Sequence, residues 1–213
     1  MIKSFIRETV STATLLISIV GSALLGQMLT QEVALIVLIN GIATVAALYL
    51  LINLGGADLN PVVTLMKAIG KEISISTTLA TLAAQFIGAV AGTIVANRMY
   101  AQTLVAISET DRYTSGTLIA EVIATFGLLY IVKTRGNDAG RLVPAWILAA
   151  FFATSSTAFA NPAVTVGRMF TNTFSGIQPM AGLKFIAGQI IALVLVVLVS
   201  STKKGSAHDS NPA

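Results

Sequence analysis

Residues 33–54 read VALIVLINGIATVAALYLLINL, an unbroken apolar run without one charged side chain. At about 1.5 Å per residue a helix of that length spans roughly 30 Å, the thickness of bilayer hydrocarbon. Further runs of similar character occupy about 5–28, 75–100, 115–133, 141–157 and 180–201. Read as helices, they make an all-α integral membrane protein with six transmembrane spans, and the lipid bilayer is its solvent. Composition agrees: 10% of the 213 residues are charged and mean hydropathy is +0.84, whereas a soluble domain carries about 25% charged residues. The first run is long for a signal peptide and GSALLGQ is a poor cleavage site, so that helix is expected to be retained.

Two shorter apolar segments follow Asn60 and Asn161. Each runs about ten residues, too short to cross but suited to a half-helix that enters from one face. The two halves of the chain repeat one another. IRETVSTATLL (6–16) parallels IAEVIATFGLL (119–129), aligning Glu8 with Glu121 and Thr12 with Thr125. LNPVVTLMKAIG (59–70) parallels ANPAVTVGRMFT (160–171), and AQFIGA (84–89) parallels GQIIAL (188–193). The order is preserved, which marks an internal duplication, with repeat 1 at about 1–105 and repeat 2 at about 114–204. Three spans per repeat is an odd number, so the copies take opposite orientations in the membrane. A single membrane domain over 1–204 with a polar tail at 205–213 is expected.

Charge sets the expected orientation. With both termini cytoplasmic, Lys3, Arg7, Lys67, Lys71, Lys133, Arg135, Arg141, Lys203 and Lys204 lie inside, and Arg98, Arg112, Arg168 and Lys184 outside. The net charge of +4 is scattered through short connections and forms no patch for nucleic acid. Cysteine is absent, and His208, the only histidine, belongs to the tail. With no imidazole or thiol in the membrane and no nucleophile beside a base, no enzyme, metal site or cofactor is expected; Ser155 and Ser156 have no such partner.

Asn is a favoured helix N-cap and Pro a favoured first helical residue, since its missing N–H costs nothing there. Asn60-Pro61 and Asn161-Pro162 therefore read as two helix starts. At membrane depth such starts must line a cavity or be buried in protein. Entering from opposite faces, they would meet near the midplane. Each N-terminus carries about half a positive charge, which opposes cations, while the two Asn amides offer donors to a neutral oxygen-bearing solute. The third Asn-Pro, in SNPA at 210–213, has no apolar run after it and reads as a turn.

The paired glutamates, GGADLNPVVTL (55–65), FANPAVTVGRMF (159–170), Gln85 and Gln189 resemble the aquaporin, or major intrinsic protein, family over nearly the whole chain. The resemblance implies an aquaporin-like hourglass, six transmembrane helices plus two re-entrant half-helices in an inverted repeat. It implies a homotetramer with one pore per subunit that passes water or small uncharged solutes passively. Carried over by position, Asn60, Pro61 and Val62 with Asn161, Pro162 and Ala163 form the pore constriction, and Glu8 and Glu121 hold the backbone of the two loops. Many members have Arg three residues after the second Asn; here that position is Val164. Arg168 stands one helical turn further on and is not assumed to replace it.

The other filter positions fall on Asn40, Ala149 and Ala158; a shift of one or two residues around Ala149 would bring Phe151 or Phe152 in instead. If the register holds, the filter has no ring and no charge and is wide. The sequence is also similar to small bacterial aquaglyceroporin-like channels associated with arsenic resistance, which likewise read Val-Thr after the second motif. That implies a bacterial inner membrane location and polyols such as glycerol, metalloid hydroxides such as arsenite, and water as solutes. A water-selective pore is the alternative; an ion-coupled transporter would need titratable midplane groups beyond Glu8 and Glu121. Asp58, where the family often has His, reads as a solvated vestibule residue or a gate. Gly41, Gly88 and Gly92 are assigned to helix packing.

Overall fold

The computed structural model describes residues 2–206, and side chains as far as residue 200. His208 and the SNPA motif lie outside the described residues. Eight α-helices follow in order: α1 (Ile2–Leu29), α2 (Val33–Gly55), α3 (Pro61–Ile69), α4 (Ile75–Met99), α5 (Ser115–Thr134), α6 (Ala139–Ala153), α7 (Pro162–Arg168) and α8 (Pro179–Ser206). A short 3-10 turn at Gly136–Asp138 leads into α6.

Among the described residues five helices are long and apolar enough to cross a membrane: α1, α2, α4, α5 and α8 to Ser200. The remaining full helix, α6, differs from its expected extent of 141–157. Its 15 residues reach about 22 Å; it stops at Ala153, where Thr154 turns to extended backbone, and Thr157, Ala158 and Ala160, with left-handed φ values of 56°, 47° and 45°, then turn the chain toward Asn161.

Packing follows the repeat. In the first half α1 lies on α4 and α2; in the second, α5 lies on α8 and α6. The α1–α4 contact is close because Gly88 and Gly92 have no side chain: a Cβ on Gly88 would collide with the Thr9 carbonyl oxygen, and one on Gly92 with that of Ala13. Small residues let helix backbones approach where lipid offers no hydrophobic drive to associate. In the second half Gly188 does the same, its absent Cβ falling 3.1 Å from the Leu118 carbonyl. The outer surface is apolar, with Leu38, Ile42 and Leu50 of α2 and Ile191, Val194 and Leu198 of α8 exposed. Without a bilayer such a surface would aggregate.

The two half-helices run from a shared centre to opposite ends of α5. Beyond α3, Glu72 pairs with Lys133 in the last turn of α5. Beyond α7, Met169 and Phe170 accept from the amides of Ser108 and Ala106 in the connection that precedes α5.

Candidate functional site

Asn60 caps α3, its side-chain oxygen accepting from the Val62 amide at 3.2 Å. Asn161 caps α7 in the same way, accepting from Ala163 and Val164 at 3.0 and 3.2 Å. Pro61 and Pro162 occupy the first helical position, where φ near −65° is already set. The caps also cross-link. Asn60 Nδ2 donates to the Ala160 carbonyl at 2.8 Å, and Asn161 Nδ2 donates to the Leu59 carbonyl at 2.7 Å. Each amide has two N–H groups, and one of them is used in this exchange.

The exchange needs the residue before each Asn in an unfavourable backbone state. Leu59 has φ 59° and Ala160 φ 45°, a region that costs L-residues about 1–2 kcal/mol. Carboxylates hold both. Glu8 accepts from the amides of Asp58 and Leu59 at 2.6 and 3.1 Å; Glu121 accepts from Phe159 and Ala160, both at 2.9 Å. Gln85 then ties Glu8 to the Thr64 hydroxyl of α3, each at 3.1 Å. Gln189 ties Glu121 to Thr165 of α7, at 2.6 and 3.1 Å. This Glu–Gln–Thr chain, present in both halves, joins a long helix to a loop and a half-helix. The Thr members follow from the shared Val-Thr spacing, but only three-dimensional contact reveals the chain.

One cavity of about 470 Å³ passes this junction. Both Asn residues line it, as do Leu59 and Ala160. Toward the α3 end its walls carry two ion pairs, Asp58–Lys67 at 2.5 Å and Glu72–Lys133 at 3.1 Å. Asp58 also accepts from the Thr64 hydroxyl, so its carboxylate is occupied rather than freely solvated. Toward the α7 end the walls carry Phe151, Ala158, Phe159, Val164 and Arg168.

Of the residues expected in the filter, Ala158 and Val164 line this end. Asn40 and Ala149 depart from expectation. Asn40 is buried between α1 and α2, its amide donating to the Ile19 carbonyl at 2.6 Å and the Ser22 hydroxyl at 2.9 Å. A polar side chain in an apolar setting satisfies itself on the neighbouring helix. Thr44, one turn on, reaches the cavity instead. Ala149 faces outward, and Phe151, two residues further, turns its ring inward. Gly41 makes room for that ring: a Cβ there would sit 2.8 Å from it. The end therefore contains a ring and a guanidinium. Pro61, Val62, Pro162 and Ala163 are buried behind the junction.

A duplicated set of membrane-crossing helices, with two half-helices meeting end to end beside a cavity, defines an integral membrane channel rather than an enzyme. The major intrinsic protein family model matches residues 1–153. The aquaglyceroporin AqpS of Rhizobium meliloti is 34% identical, over 89% of this chain and 84% of its own. The probable aquaporin TIP2-2 of Oryza sativa subsp. japonica is 28% identical, over 64% of this chain and 58% of its own. Among solved structures, the aquaglyceroporin of Plasmodium falciparum superposes with a TM-score of 0.64 at 19% identity, covering 93% of this chain and 98% of that one. The chain belongs to the major intrinsic protein family.

Proposed function

We propose that this protein is a passive channel for small uncharged solutes: polyols such as glycerol, metalloid hydroxides such as arsenite, and water. The observation that carries the reading is a cavity lined by both Asn60 and Asn161, whose amides each keep one N–H beyond the cross-link. A neutral oxygen-bearing solute can accept these bonds, whereas a cation meets two helix N-termini. The small side chains of Ala158 and Val164 support passage of solutes larger than water.

The relative named an aquaglyceroporin supports this solute class. A bacterial inner membrane location with cytoplasmic termini, and a homotetramer, belong to the same reading. The Phe151 ring in the wall favours a second reading, a narrower water-selective pore.

Stopped-flow light scattering on proteoliposomes separates the two. Shrinkage under an impermeant osmolyte reports water, and reswelling under glycerol or urea reports solute. We expect reswelling at least about tenfold faster than in protein-free vesicles, as for a pore whose width sets selectivity. Fast shrinkage without reswelling would support the water-selective reading, and neither would argue against an open channel.

A further inference from the structure

We propose that Arg168 supplies the positively charged, hydrogen-bond-donating wall of the selectivity filter, reaching back from the next helical turn over Val164. This rests on the channel reading above. Arg168 lies four residues after Val164, so on α7 the two share a face. Side chains on an α-helix lean toward its N-terminus and cover the preceding turn. A long side chain at 168 therefore extends toward Val164, whose short side chain leaves the space open.

Aromatic contact fixes how far it reaches. The guanidinium carbon lies 3.6 Å from the centroid of the Phe159 ring, and Phe159 neighbours Ala158 in the loop that leads into Asn161. The charge thus lies over the aromatic ring of the loop that leads into Asn161. Its Nε donates to the Ser175 carbonyl at 2.5 Å, which fixes the plane of the group. Arg168 is 5% exposed and lines the cavity. Among the described residues it forms no salt bridge. A guanidinium on a solute path repels cations and presents N–H donors to a passing oxygen. Val164 and Ala158 then determine the width of the filter, and Arg168 its charge and donors.

The competing role is loop anchoring, and Arg112 provides the control. It donates to the carbonyls of Gly176 and Phe174 in the same loop but does not line the cavity. Purified Arg168→Gln, Arg168→Lys, Arg112→Gln and wild-type protein would be compared in proteoliposomes for water flux, urea flux and potassium or proton leak. We expect Arg168→Gln to raise the leak per unit water flux by at least about tenfold, with Arg112→Gln within about twofold of wild type. Arg168→Lys keeps the charge but loses the planar donors, so it should exclude ions and shift the urea-to-water ratio by about threefold or more.

Equal leak changes in Arg168→Gln and Arg112→Gln would reduce Arg168 to a loop anchor. If Arg168→Gln does not assemble, Arg168→Lys decides: an unchanged urea-to-water ratio overturns the proposal. Wild-type protein that conducts neither water nor urea would instead refute the channel reading itself.

Discussion

At the scale of single residues the two buried carboxylates carry the most consequence. Glu121 is fully buried and accepts from two backbone amides and Gln189. Glu121→Ala would orphan both amides beside a left-handed Ala160, and each orphaned buried donor costs about 1–3 kcal/mol. We expect a loss of about 2–6 kcal/mol, read as a lower denaturation midpoint in detergent by circular dichroism, and a similar loss for Glu8→Ala. A change below about 0.5 kcal/mol, the scatter of ordinary surface substitutions, would show that the loops are held by other contacts. Glu8, Glu121, Asn60 and Asn161 were legible as a set because each has a partner at the same place in the other repeat. Asn40 and Ala149 lacked that check, and helix geometry punishes small errors: a step of two residues turns a side chain by about 200°. That is the difference between Ala149 and Phe151.

At the scale of elements, the long helices were legible because span length is imposed by the bilayer. The end of α6 was not, since Thr154 turns to extended backbone there and nothing in the composition of TSSTAFA announces that turn or the left-handed residues at 157, 158 and 160 that follow it. Close packing of α1 and α4 was readable from Gly88 and Gly92, and it is testable. Gly92→Val puts a branched side chain against the Ala13 backbone, where overpacking costs about 1–3 kcal/mol. Gly136, with no heavy atom within 4 Å of its would-be Cβ, is the control. We expect Gly92→Val to lower the denaturation midpoint and Gly136→Ala to leave it unchanged. Equal midpoints would mean that the α1–α4 contact is looser than described.

For the whole molecule, duplication explains the architecture. One set of instructions, a carboxylate on the first helix, an Asn cap on the half-helix and a Gln on the last, is written twice and meets itself at the centre. That meeting was legible in the sequence. The lining of the cavity on either side was not, because it depends on how each helix is rotated about its axis. The two ion pairs at the α3 end show this: Asp58 and Lys67 stand nine residues apart, while Glu72 and Lys133 are brought together only by the fold. On the channel reading, solute moves through this cavity passively. The most direct test is urea or glycerol flux into proteoliposomes with proton and sodium gradients imposed in either direction and then collapsed by ionophores. Passive conduction predicts the same flux under every gradient, in proportion to the solute gradient alone. Uptake that rises or reverses with an ion gradient would contradict it and make the protein a coupled transporter.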